Sequence, residues 1–225
     1  MGQAIGLVLP LAVVVALSPV PIIAVVLMLV TPRASVNGPA FVVGWIVGLG
    51  IVGAIVLAVA DPAAATSDGQ PATWVDVLKL ILGLLLLLVA LKQWRGRPHG
   101  DDEPATPKWM GAIEGFGPGK ALVAGAVLAG ANPKNLLLAI AAAASIASTG
   151  ISGGEEAVAY LVFALIGTAG VAAPVVIYFS MGARAGAVLD GLQRWMARNN
   201  AVIMAVLLLV IGAKLVGEAI SGFSS

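Results

Sequence analysis

Two proline-containing stretches decide the fold: residues 17–22, Leu-Ser-Pro-Val-Pro-Ile, and residues 131–136, Ala-Asn-Pro-Lys-Asn-Leu. Each lies near the middle of a long apolar run. Proline lacks an amide hydrogen and clashes with the carbonyl four residues earlier, so both helices are expected to break there. Freed backbone groups find no partners in lipid and are tolerated only inside protein or beside a wet cavity. We therefore predict two broken membrane helices whose breaks face the protein interior.

The composition around these stretches is that of a membrane protein. Of 225 residues, 60% are hydrophobic and 10% are charged, whereas a soluble domain has about half and a quarter, respectively. Runs such as the five leucines at 84–88 do not alternate as the strands of a membrane barrel would. The fold class predicted is all-α and polytopic, with six transmembrane helices at about 4–30, 38–60, 75–94, 120–148, 157–181 and 200–221.

The two halves of the chain carry the same features in the same order. Aligning Pro19 with Pro133 places the two breaks opposite each other, and the third and sixth segments each carry a leucine run that ends in lysine. Because each half has three spans, the second must lie upside down relative to the first, as in many transporters. We predict a first repeat at 1–94, a cytoplasmic linker at 95–119 and an inverted second repeat at 120–225. The second and fifth segments also share glycine clusters: Gly44, Gly48, Gly50 and Gly53 against Gly167 and Gly170. The Gly44-x-x-x-Gly48 spacing predicts small-residue packing on the second segment.

Basic residues predict the orientation. Nine Lys and Arg residues fall in the first, third and fifth loops, and none falls in the second or fourth. The positive-inside rule places the basic loops in the cytoplasm. We expect a multi-pass protein of the bacterial plasma (inner) membrane with both termini outside. The basic residues are Arg33, Lys92, Arg95, Arg97, Lys108, Lys120, Arg184, Arg194 and Arg198.

The two breaks are also the candidate substrate site. Lys134 lies at the centre of an apolar stretch, and a lysine there costs on the order of 3 kcal/mol. Such a charge usually faces an interior pathway, so Lys134 and two helix N-termini would attract an anion. The alternatives are ordinary proline kinks and a Lys134 that lies nearer one surface. The predicted substrate-binding residues are Ser18, Pro19, Pro21, Asn132, Pro133, Lys134 and Asn135.

Other residues point away from catalysis and metals. The chain has no cysteine and a single histidine, His99, in the linker, so no cofactor and no metal site are expected. No nucleophile has a base beside it, so we do not expect an enzyme, and a net charge of +1 indicates no nucleic-acid partner. Lys79 and Lys92 are predicted to snorkel near span ends, and Lys214 is predicted to pair with Glu218.

The motifs at 18–25 and 132–136 resemble those of the GAP or Sap proteins, the glycopeptidolipid- or sulfolipid-addressing family of the LysE transporter superfamily. The likeness covers nearly the whole chain, with six spans, a basic middle loop and both proline motifs in order. It implies export of small molecules, with some members linked to cell-envelope glycolipids, and it places the seven candidate residues on the family motifs. Together with the glycine-rich faces, it also leads us to expect a homodimer.

Three functions remain open at this point. The first is a membrane transporter that exports or flips a small amphiphile, an anionic or polar-headed cell-envelope lipid. The second is a LysE-type exporter of amino acids or other small metabolites on the same scaffold. The third is a non-transporting accessory subunit that docks a lipid-synthesis or export partner through the 95–119 loop. Membrane lipid and a small-molecule or lipid substrate are the expected partners.

Overall fold

The computed structural model describes residues 1–59, 66–67, 70–71, 73–97 and 113–224, and within these ranges the chain is almost entirely helical. The all-α class is therefore confirmed. Two short 3-10 helices, Ile113–Gly115 and Gly182–Arg184, precede the fifth and eighth helices, and strands β1 (Thr66–Ser67) and β2 (Gln70–Pro71) pair antiparallel. The helices in the described ranges are α1 Gly2–Ala16, α2 Pro19–Leu29, α3 Ala34–Val59, α4 Thr73–Arg95, α5 Pro118–Gly130, α6 Pro133–Ala147, α7 Gly153–Met181 and α8 Ala185–Gly222.

Both predicted helix breaks are present. The chain bends by 49° between α1 and α2 and by 61° between α5 and α6. Proline suits the first position of a helix, where its missing amide hydrogen would have no partner, so Pro19 and Pro133 each begin a new helix. Among the described residues, α3, α4, α7 and α8 are long and apolar enough to cross a membrane. The number of candidate spans rises to six if each bent pair is one span.

The predicted boundaries are least accurate before the last helix. A loop was predicted between the fifth and sixth segments, but α8 already begins at Ala185. No proline occurs between 185 and 222 to interrupt it. Its 38 residues extend over roughly 57 Å at 1.5 Å per residue, well beyond a hydrocarbon core of about 30 Å. The basic residues Arg194 and Arg198 therefore lie on a helical extension rather than in a loop.

Glycines bring two pairs of helices together backbone to backbone. A Cβ on Gly44 would overlap the carbonyl of Leu122, so α3 can approach α5 only because this position is glycine. A Cβ on Gly170 would likewise overlap the carbonyl of Ala16, where α7 meets α1. The small-residue packing predicted for the second segment is confirmed at Gly44. Because these faces are filled within one chain, they no longer support a homodimer, which stays a prediction.

The half-helices that follow the two breaks form the centre of the molecule. Helix α2 contacts α3, α7 and α8, and helix α6 contacts α1, α3, α4 and α7. Most of α2 is buried, and the alanines at 141–144 on α6 are at most 1% exposed. Large apolar side chains instead lie exposed on the outer helices, as expected for surfaces that face lipid. The core therefore surrounds the two breaks.

Candidate functional site

A side-chain hydrogen bond joins the two breaks. Ser18 lies at the N-cap of α2 and is 1% exposed. Its hydroxyl lies 3.2 Å from the Oδ1 of Asn135, a fully buried residue in the first turn of α6. The two residues are far apart in the chain, one in each half. The breaks predicted separately from the sequence therefore meet in the interior.

Lys134 extends this connection. Its partly buried ammonium group donates to the Ser18 hydroxyl oxygen. The single hydroxyl hydrogen of Ser18 can then be donated either to Asn135 Oδ1 or to the Val14 carbonyl, 3.4 Å away. The result is a short polar chain across the junction, from Lys134 through Ser18 to Asn135. We call these three residues the junction cluster.

The junction cluster also satisfies backbone groups that the breaks leave free. A helix end leaves its last carbonyls without intrahelical partners. Asn135 Nδ2 donates to the Leu128 carbonyl of α5 at 2.9 Å, while the Ser18 hydroxyl lies within reach of the Val14 carbonyl of α1. Asn132 caps α6 by accepting from the Lys134 amide at 3.1 Å. The polar side chains predicted at the breaks therefore explain how the breaks are tolerated in an apolar setting.

The other predicted site residues set the backbone conformation at the two breaks. Pro19 and Pro133 begin α2 and α6, and Pro21 is buried in the first turn of α2. Asn132 is partly buried and its side-chain oxygen is used in capping. The structure thus brings Ser18, Lys134 and Asn135 together as side chains, whereas the prolines and Asn132 set the local backbone. Their part in binding a substrate stays a prediction.

Lys134 has no carboxylate partner among the residues that the structure describes. The ion pairs found there all involve Glu218, on α8. The only side chain to which the Lys134 ammonium donates within these ranges is that of Ser18, which is neutral. The junction cluster therefore places a lysine amine without an acidic partner in the described ranges at the meeting point of the two halves.

A second charged cluster, formed by Lys79, Lys214 and Glu218, was predicted only in part from the sequence. Glu218 pairs with Lys214 one turn earlier on α8, as predicted, and also lies 3.8 Å from the Lys79 ammonium on α4. The prediction that Lys79 snorkels was wrong, because the residue is only 5% exposed. Lys214 also reaches the Leu7 carbonyl of α1 at 3.5 Å. Only the spacing between Lys214 and Glu218 was visible in the sequence, since the Lys79 contact depends on how α4 packs on α8.

Neutralising Glu218 is expected to destabilise the protein. Breaking a fully buried ion pair costs roughly 3–5 kcal/mol because the remaining charge is left unpaired. The Glu218 side chain is still 23% exposed, so we expect about 2 kcal/mol for Glu218→Gln, measured by unfolding in detergent. Asp190→Asn, at an exposed acid on the same helix, should have little effect. Lys79→Met combined with Glu218→Gln should recover the part of the loss that comes from the unpaired, buried Lys79, and no recovery at all would contradict that pair.

No group of three or more His, Cys, Asp or Glu residues that could hold a metal lies within the described ranges. The acidic run at 101–103 and His99 fall outside those ranges, as does most of the predicted linker. The absence of a metal or cofactor and of catalysis stays a prediction.

The fold and the junction cluster together define a class: a helical membrane protein with two broken helices that meet inside the core. The sequence matches the family described as Sap, sulfolipid-1-addressing protein, over residues 8–221, and the chain belongs to that family. This membership confirms the resemblance found from the two proline motifs and associates the chain with a lipid-related role in a membrane. No curated protein and no solved structure matches it.

Proposed function

We propose that this protein is a transporter that exports or flips an anionic or polar-headed cell-envelope lipid. The observation that carries the proposal is the ammonium of Lys134, held across two helix breaks by Ser18 with no carboxylate partner in the described ranges. Ionisable groups inside membrane segments are costly and usually belong to substrate pathways. An anionic headgroup would supply the missing negative charge, and membership of the Sap family favours a lipid as its carrier.

We also propose that the halves form an inverted repeat. In such a repeat, α1, α2, α3 and α4 of the first half correspond to α5, α6, α7 and α8 of the second. The helix contacts support this: α3 packs on α5 as α7 packs on α1, and α2 packs on α8 as α6 packs on α4. The carbonyls of Val14 and Leu128, which face side-chain donors, also lie equally far before Pro19 and Pro133.

The transport mechanism we propose is alternating access around the junction cluster. Transporters built from inverted repeats hold substrates where discontinuous helices meet, and one repeat rocks against the other. Here the cluster lies between the halves, with Ser18 from the first and Lys134 and Asn135 from the second. The flat glycine faces of α3 and α7 would allow neighbouring helices to slide. The uneven distribution of basic residues supports an inner-membrane orientation with both termini outside.

Lipid translocation in liposomes tests this function directly. Purified protein would be reconstituted with phosphatidylglycerol that carries a fluorescent label, and dithionite would be added outside to quench label in the outer leaflet. We expect protein-containing liposomes to lose the inner-leaflet signal and protein-free liposomes to keep it. Radiolabelled lysine loaded into parallel liposomes tests the metabolite exporter. Movement of lysine without lipid, or of neither, would contradict lipid transport.

A further inference from the structure

A polar cavity lies at the C-terminal end of α2, whereas the first break lies at its N-terminal end. This end of α2 is predicted to face the cytoplasm. Its volume is about 220 Å³, and it is lined by Thr31, Pro32, Arg33, Gly115 and Phe116. These residues belong to the turn between α2 and α3 and to the segment that leads into α5. The turn that joins the first two segments of the first half therefore meets the start of the second half here, away from the junction cluster.

Arg33 gives this cavity its charge. The guanidinium forms no ion pair within the described ranges, where the acidic partner in every pair is Glu218. Gly117 permits its approach, since a Cβ there would stand 3.2 Å from Arg33 Nη1. Gly117 is also the N-cap residue of α5, so no side chain caps the amides of the first turn. Lys120 follows in that turn. The positive end of α5 and Lys120 thus add to the field of Arg33.

The walls of the cavity are held in place. Asn37 is fully buried on α3, and its Nδ2 donates to the Phe116 carbonyl at 3.0 Å. The Thr31 hydroxyl donates to the Met28 carbonyl at 2.8 Å, which leaves its oxygen free to accept a hydrogen bond. The cavity is thus a built feature between two anchored turns, with a planar, always charged donor at its edge.

We propose that this cavity binds the phosphate or sulfate group of a lipid headgroup from the cytoplasmic leaflet. Arginine binds such oxyanions through paired hydrogen bonds. A volume of about 220 Å³ is below the roughly 300–1,000 Å³ of pockets that enclose whole drug-sized ligands. The cavity therefore fits a headgroup whose acyl chains stay outside. The inference rests on the proposed function in taking a lipid as the source, and it adds an anion site separate from Lys134.

Binding of a water-soluble, short-chain phosphatidic acid to the full chain in detergent tests this site. We expect Arg33→Gln to weaken binding about tenfold or more, the loss expected for a charge-assisted hydrogen bond, and Arg33→Lys to recover part of it. Arg184→Gln removes an exposed arginine from the same predicted side and should change little. Short-chain phosphatidylcholine should bind weakly, and inorganic phosphate should compete poorly if the lipid is the source.

The outcomes separate this inference from the proposed function. Equal weakening by Arg33→Gln and Arg184→Gln would overturn it, because bulk charge would then explain binding. Loss of binding in Lys134→Met with Arg33→Gln unchanged would overturn the cavity site and leave the transporter proposal standing. Loss of lipid binding in Arg33→Gln, with no lipid translocation by the wild-type protein in liposomes, would support the cavity site and overturn the transporter proposal. Phosphate that competes as strongly as the lipid would overturn the lipid source.

Discussion

Gly44→Ala is expected to destabilise the protein strongly, whereas Gly50→Ala in the same helix is expected to leave it equally or slightly more stable. A Cβ on Gly44 would overlap the carbonyl of Leu122, which belongs to the backbone of α5 and cannot rotate away. Overpacking typically costs about 1–3 kcal/mol in stability. Because the Leu122 carbonyl is rigid backbone, we expect a cost of about 3 kcal/mol for Gly44→Ala. The two helices must separate to admit the methyl group.

Gly50 offers a matched control for this prediction. It lies on the same helix, but a Cβ there meets nothing within 4 Å. Alanine is favoured over glycine within a helix by roughly 0.5–1 kcal/mol. Thermal and denaturant unfolding of both variants in the same detergent would therefore give shifts of opposite sign. Gly170→Ala, at the contact of α7 with α1, should behave like Gly44→Ala. Equal shifts for Gly44→Ala and Gly50→Ala would contradict the helix contacts described above.

The parts of the fold that follow from local chemistry could be predicted from the sequence. Pro19 and Pro133 break their helices because of their own covalent structure, and the breaks appear at those residues. Polar residues beside the prolines are visible in the sequence, and Ser18 and Asn135 lie within hydrogen-bonding distance of the freed carbonyls. Hydrophobic composition and the absence of alternation were enough for the all-α membrane class.

Features that depend on which helices meet could not be read from the sequence. Glycine spacing predicted close packing on α3, but it did not reveal that α5 supplies the partner. For the same reason, the glycine-rich faces contributed to the expectation of a homodimer. Lys79 looked like a surface anchor because it lies near a span end, yet packing of α4 on α8 buries it beside Glu218. The early start of α8 was missed because its charged first turns resemble a loop in composition.

Lys134 presents a conflict between stability and binding that its replacement should expose. A charged lysine deep in a membrane costs on the order of 3 kcal/mol on insertion scales, and the hydrogen bond from Lys134 to Ser18 offsets part of that cost. Methionine has similar length without the charge. Lys134→Met is therefore expected to fold with equal or greater stability. A residue retained despite such a cost is typical of a functional site.

Lys134→Met is expected to lose anionic lipid that the wild-type protein retains through purification. Loss of a hydrogen bond to a charged group costs about 1.5–3 kcal/mol, or roughly tenfold to a hundredfold in affinity. Native mass spectrometry of the purified protein would report bound lipids directly. Lys92→Met, at an exposed lysine on α4, controls for loss of charge and should retain them. Ser18→Ala should weaken retention by less, since it removes a neutral partner and leaves the ammonium in place.

The same samples distinguish a binding role from a structural one. Reduced lipid retention with unchanged or raised unfolding temperature in Lys134→Met would support an anion site at the junction of the two halves. A lower unfolding temperature would instead mean that the hydrogen bond to Ser18 holds the breaks together. Identical lipids on the wild type, Lys134→Met and Lys92→Met would remove Lys134 from the binding site. A charged Lys134 would then have to be balanced by water or by backbone carbonyls, because the described residues supply no carboxylate partner for it.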